Sequence, residues 1–233
     1  GSAVASYRGV AAIGGGAFQS GDWLINYADG FVRRGLFGEL FLTVAPKAPG
    51  AIWFLFAIQV TLYFLVLAYC LHFLHRNAYD WGAIALACSP AAIAFVGWDT
   101  GGFARKEVLV LVALVVLAVS RHGAFIDELI LGVTALLLFV LAVFSWEASA
   151  FMTPAMLFLL LRPTDSTRSR WLGRVLAAGT VATALAGLAL SALHHGTSST
   201  ADRICTAVRE HGLDGVQLCA GAIRWIGVDS EQA

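Results

Sequence analysis

Long apolar runs, interrupted by short charged stretches, set the limits on what this chain can fold into. Several runs are long enough to cross a bilayer as a helix, which takes roughly 20 residues each. Hydrophobic residues make up 59% of the 233, charged residues 13%, and mean hydropathy is +0.78. A soluble domain carries about a quarter charged residues, so the chain reads as an integral membrane protein. Backbone groups in lipid must bond internally, and no alternating strand pattern of barrel length is present. The expected fold class is therefore all-α, a polytopic transmembrane helical bundle.

Seven spans are expected. Residues 51–73, 81–98, 129–146 and 171–193 carry the clearest runs. Residues 4–18 are glycine-rich and short, while 108–120 and 148–161 are too short to cross without flanking residues or local thinning. The domain reading is a bundle with outer loops over 1–195 and a small extracytoplasmic cap over 196–233, with short helices expected near 202–211 and 216–226. Gly1-Ser2 without an initiating Met reads as a cloning remnant, and the polar end 229–233 leaves room for further spans in a longer protein. A net charge of zero and a pI near 7.2 give no electrostatic footprint for nucleic acid, which is excluded as a partner.

Orientation follows from the basic loop holding Arg162, Arg168, Arg170 and Arg174, which the positive-inside rule places in the cytoplasm together with Arg76 and Arg121. Arg33, Arg34, Lys47, Arg105 and Lys106 then fall on the opposite face, interleaved with acids. Cysteine usage points the same way. Cys205 and Cys219 lie in the polar C-terminal segment, where a disulfide suits an oxidising compartment; two buried thiols are the alternative. Cys70 and Cys88 sit inside apolar spans. The loops holding Asp22 to Arg34, Asp99 to Glu107, Glu147 and the two cap cysteines are thus expected to meet on one outer face.

The richest of these loops is 21–35. As a helix it would place Asp22, Asn26, Asp29 and Arg33 on one face, at spacings of four, three and four. Asp22 or Asp29 would serve as a general base toward a hydroxyl, and Arg33 and Arg34 would clamp a phosphate. Trp23, Tyr27 and Phe31 would anchor at the interface or stack on a sugar. The structural alternative has the arginines snorkelling to headgroups with the acids balancing them.

In the second loop, Asp99 and Thr100 read as helix caps, Gly101 and Gly102 as anion-facing backbone, and Arg105 and Lys106 as added positive charge. A capped turn with an Arg105, Lys106 and Glu107 ion network is the competing reading. Glu147 lies between two apolar runs and needs a partner, expected among Arg33, Arg34, Arg105 and Lys106. His194 and His195 would reach the outer face, but no third ligand is spaced to complete a zinc site. No cofactor is implied; a divalent cation held by Asp22 or Asp29 with a diphosphate is the one metal arrangement left open.

With Asp22 to Leu36, Arg105-Lys106-Glu107 and Trp146-Glu147 in these positions, the chain resembles bacterial envelope-polysaccharide membrane proteins, the Wzy-like polymerases and GT-C-type glycosyltransferases. The likeness is one of style and short motifs, spread over most of the chain. It implies an inner-membrane enzyme that moves a glycosyl unit from a polyprenyl-linked saccharide on the periplasmic face. It also implies Asp22 as the base and Arg33, Arg34 and Arg105 as the phosphate clamp. From the residues themselves, Asp29 is a second catalytic candidate, and Asn26, Asp99, Lys106 and Glu147 are further candidates for substrate binding. GT-C enzymes have more spans and often a paired-acid motif, and this loop holds Asp22 and Asp29 two helical turns apart.

Two other classes compete. A transporter or flippase would carry polar groups on toward the membrane midplane. A non-catalytic subunit of a larger membrane complex would use the outer layer for docking and small-residue faces, such as Ala83, Ala87 and Ala91 or residues 177–187, for helix packing.

Overall fold

Phe139, Ala135, Ala142 and Val143 are almost completely buried, and they mark the helix around which the others assemble. The computed structural model describes residues 15–47, 50–76, 104–120, 125–163, 166–194, 196–213 and 217–226. Among these the element order is a 3-10 turn (Asp22–Leu24), α1 (Leu36–Val44), α2 (Gly50–Arg76), α3 (Glu107–Ser120) and α4 (Phe125–Ser145). A second 3-10 segment (Glu147–Met152), α5 (Thr153–Leu160), α6 (Thr167–Leu193), α7 (Ser198–Glu210) and α8 (Ala222–Trp225) follow. The described residues form no named strand, so the all-α class holds.

Three helices, α2, α4 and α6, are long and apolar enough to cross a membrane. They correspond to the runs expected at 51–73, 129–146 and 171–193, extended at one or both ends. The other expected spans fare differently. Residues 81–98 and most of 4–18 lie outside the described residues, as do Ala83, Ala87 and Ala91. Residues 148–161 are not one span: a 3-10 segment leads into the eight-residue α5, with Pro154 in its first turn. At 14 residues α3 is about 21 Å long, short of the roughly 30 Å hydrocarbon thickness.

α4 packs between α3 and α6, with α2 on α3 and α5 on α6. The α4–α6 contact depends on small residues. Ala177, Thr180, Ala184 and Gly187 are buried on one face of α6, spaced three, four and three apart. A Cβ on Gly187 would sit 2.2 Å from Val143 Cγ1, and one on Gly132 would sit 2.7 Å from Leu176 Cδ1. Since lipid tails are as apolar as Leu, close backbone approach and dispersion hold such helices together rather than water exclusion. Outward residues such as Phe158, Trp171, Leu185 and Leu137 are exposed, as lipid-facing positions are.

The loops at the end of α4 and the start of α3 carry the charge. The 21–34 stretch is not the helix its spacing suggested: after the 3-10 turn it is irregular, with an isolated bridge between Ala28 and Gly30 and a turn at Arg33-Arg34. Gly30 and Arg34 take positive φ of 91° and 71°, which no continuous helix allows. The single-face stripe of Asp22, Asn26, Asp29 and Arg33 therefore does not form.

The C-terminal cap folds over this end. Cys205 on α7 and Cys219 are disulfide-bonded, with Cα atoms 5.9 Å apart, and α7 buries Ile204 and Val208 completely. Leu218 is fully buried against Gly15, and the Ala222 amide donates to Ala17 O at 3.4 Å.

Candidate functional site

Two loops distant in sequence lace together through buried side chains. Trp23 is fully buried, packs edge-on against Phe37 at 4.6 Å, and its indole N–H donates to Ala104 O. Lys106, equally buried, donates through Nζ to Arg34 O at 3.0 Å and to Ser145 O at 3.1 Å. Two of these three carbonyl acceptors, Ala104 and Arg34, belong to the non-glycine residues with positive φ. Such conformations cost about 1–3 kcal/mol each and persist where surrounding contacts determine them. Here each loop sends a buried donor to the strained residue of the other.

This lacing sets the Arg34 side chain in place. Its Nε and Nη2 donate to the two Glu147 oxygens at 2.9 and 2.8 Å, a bidentate fork. Burial alone would lower the Arg34 pKa, but the Glu147 bond and charge outweigh it, so it is raised above its ordinary value. Glu147 responds in kind: burial pushes its carboxyl up, yet the Arg34 bond and charge, with Arg33 nearby, hold it below the usual range. The partner that Glu147 needed is Arg34.

Asp22, Arg34, Arg105, Glu107, Phe18, Trp146, Ala222 and Trp225 line an open cleft of about 480 Å³ beside the pair. The cleft lies at the level where α4 ends, since Trp146 directly follows Ser145. Its wall is shared by the 21–34 loop, the start of α3, the segment after α4 and the cap. Asp22 Oδ1 is buried without a hydrogen-bond partner and lies 3.9 Å from Lys106 Nζ. Arg105 is half-exposed and only 4.0 Å from Glu107 at its nearest, a loose pair that leaves the guanidinium accessible. Phe18 and Trp225 meet edge-on at 5.5 Å on the rim.

Other expected site residues stand elsewhere. Asp29 accepts from Thr200 Oγ1 at 2.9 Å and pairs with Arg203 at 2.7 Å, joining the loop to the cap and not lining the cleft. Asn26 is buried and shapes its own turn, accepting from the Ala28 amide at 2.9 Å and donating to Leu24 O at 3.1 Å. Arg33 is half-buried near Glu147. Lys106 lies beneath the cleft and not on its surface. Asp99, with Thr100, Gly101 and Gly102, lies outside the described residues, as does His195. His194 packs edge-on against Phe31 at 5.2 Å.

Sequence reasoning missed the aromatic lining and Glu39. Trp146 was legible as the residue that ends an apolar run beside a lone acid. Phe18 and Trp225 carried no such signal, because the cap had to fold before they met. Glu39 Oε2 accepts from the Tyr27 amide at 3.0 Å, and burial, then the Glu39 charge, pushes the Tyr27 hydroxyl up to about 12.

Among the described residues no group of three or more His, Cys, Asp or Glu is placed to hold a metal ion. Directly below the cleft the buried residues of α3 and α4 are apolar, from Leu109, Val112, Ala113 and Leu117 to Ala135, Phe139 and Ala142, while Ser120 and Glu128 are buried at the far ends of the two helices. No family model, curated protein or solved structure matches the chain.

Proposed function

We propose that the chain is a membrane glycosyltransferase or polysaccharide polymerase that acts on polyprenyl-phosphate-linked sugar at the periplasmic face of a bacterial inner membrane. The observation that carries this reading is the cleft itself. It combines a carboxylate whose Oδ1 is buried toward Lys106, an accessible guanidinium and indole faces, all at the height where a span ends. Asp22 takes the proton of an acceptor hydroxyl, Arg105 stabilises the anionic phosphate as it leaves, and Trp146 or Trp225 stacks on a sugar ring. Arg34 is committed to Glu147 and acts as a wall of the site, not as a free phosphate clamp. The cleft is large enough for one or two sugar units but not a folded partner.

A transporter is less favoured by the apolar stretch of α3 and α4 directly beneath the cleft, which separates it from the buried Ser120 and Glu128 at the far ends of those helices. A docking subunit is less favoured by a concave rather than flat outer face.

The test is chain lengthening of a polyprenyl-linked saccharide by the purified protein in lipid nanodiscs. Wild type extends the glycan, and Arg105→Ala lowers kcat/KM for the lipid-linked donor about tenfold, the scale of one lost charge-assisted hydrogen bond. Absence of extension by wild type across a panel of lipid-linked glycans overturns the proposal.

A further inference from the structure

The chain contains two lysines, Lys47 and Lys106, and the second is among its most completely buried side chains. A fully buried ammonium is costly unless its three donors are used. Two are used on main-chain carbonyls, Arg34 O and Ser145 O. The nearest acceptor left for the third is Asp22 Oδ1, at 3.9 Å, itself buried and without a hydrogen-bond partner. One side chain thus reaches the backbone of two cleft walls and the carboxylate on a third.

We propose that Lys106 is the positioning residue of the cleft, tying the Arg34 and Ser145 main chains together from beneath and fixing the Asp22 carboxylate against them without touching substrate. This rests on the glycosyl-transfer reading only for what Asp22 does, not for the coupling of Lys106 to Asp22. The role differs from the one its sequence position suggested, which was direct contact with substrate. An arginine would not substitute, because a guanidinium is too large for a pocket with no exposed surface and its planar fork does not match three separate acceptors.

The charged groups facing Lys106 are Asp22 from the 3-10 turn, Arg34 from the loop before α1, Glu147 after α4 and Glu107 at the start of α3. Burial, opposed chiefly by Asp22, brings the Lys106 ammonium down to about 8. It therefore titrates in a range where the protein can be handled, and with a single other lysine in the chain it can be watched directly.

Lysine labelled with carbon-13 at Cε gives two resonances, and Lys47→Arg assigns them. In wild type the Lys106 resonance titrates near pH 8. In Asp22→Asn, a substitution at a cleft-lining position that keeps side-chain size, the midpoint falls by at least half a pH unit because its principal anionic neighbour is gone. Glycan extension by wild type declines above pH 8 in step with the resonance, through kcat with KM unchanged. In Lys106→Met, kcat is low and that alkaline decline is absent.

A Lys106 midpoint unmoved by Asp22→Asn overturns the coupling, even if Lys106→Met does not fold. A KM effect in place of a kcat effect overturns the positioning role. If the coupling is seen but wild type extends no glycan, the glycosyl-transfer reading fails and the Lys106–Asp22 coupling stands.

Discussion

Arg34 and Glu147, separated by 113 positions in the chain, form a bidentate ion pair that joins the loop before α1 to the segment after α4. Side-chain exposures of 30% and 20% leave it partly screened, so its worth falls below the 3–5 kcal/mol typical of breaking a fully buried pair. Glu147→Gln is expected to destabilise the protein by about 2 kcal/mol and Arg34→Ala by a similar amount. The double substitution costs much less than the sum, because neither leaves an orphaned charge. Denaturation in detergent measured for all three variants checks this; additive losses would mean that the two residues act separately.

The pair also fixes a response to acid. The Glu147 carboxyl is held below its ordinary value in the folded protein, so its contribution is fully present above the unfolded carboxylate range and is lost as pH falls through the folded value. Melting temperature should fall on acidification below about pH 5 in wild type, and the Glu147→Gln variant should show a shallower decline.

Lys106 has the opposite sign. Its folded value is near 8, below the ordinary 10.5, so between these the unfolded state binds the proton more readily and stability rises with pH. From pH 8 to 10 wild type gains on the order of 2 kcal/mol relative to Lys106→Met. Above pH 10 Tyr27, pushed up to about 12, works against the gain, so the comparison belongs below that point. A flat difference between the two proteins over this window would mean that Lys106 binds its proton equally in the folded and unfolded states, and would rule out the lowered value.

The cap is docked by Asp29 through Thr200 and Arg203, and internally closed by Cys205–Cys219. Arg203 is 68% exposed, so its ion pair is worth under about 1 kcal/mol. The disulfide, closing a loop of 14 positions, is worth about 3 kcal/mol. Cys205→Ser should therefore make residues 197–226 accessible to protease well before Asp29→Asn does, as limited proteolysis would report. Equal sensitivity would place the docking energy in the ion pair.

Gly38 lies under the 21–34 loop, where an added Cβ would stand 2.0 Å from Ile25 O. Backbone cannot yield as a flexible side-chain tip does, and overpacking costs typically about 1–3 kcal/mol or more. Gly38→Ala should lower melting temperature and glycan extension together, while Gly30→Ala, with open space at its Cβ but positive φ, should be milder.

Three of the seven expected spans were legible because bilayer-length apolar runs allow few alternatives, and residues 177–187 of α6 read as a small-residue packing face without naming the helix it meets. The meeting of the 21–34 loop, Lys106, Glu147 and the cap was expected from a seven-span alternation, of which three spans are seen. What the loop 21–35 would do was not legible. Its carboxylates kept helical spacing, but Trp23 is captured by a carbonyl 81 positions away and Arg34 by a lysine 72 away. Tertiary contacts of that range override local propensity. The same reason separates Asp22 from Asp29: one faces a cleft built by three other segments, while the other is taken by a cap helix more than 170 positions later.

That separation supplies the most direct test. Rates of glycan extension for Asp22→Asn and Asp29→Asn should be compared at matched folded fractions. The account predicts a loss of about a hundredfold or more for Asp22→Asn, the scale of a missing general base, and a loss within about threefold for Asp29→Asn. Equal losses, or a greater loss at Asp29, would contradict the assignment of the reaction to the cleft.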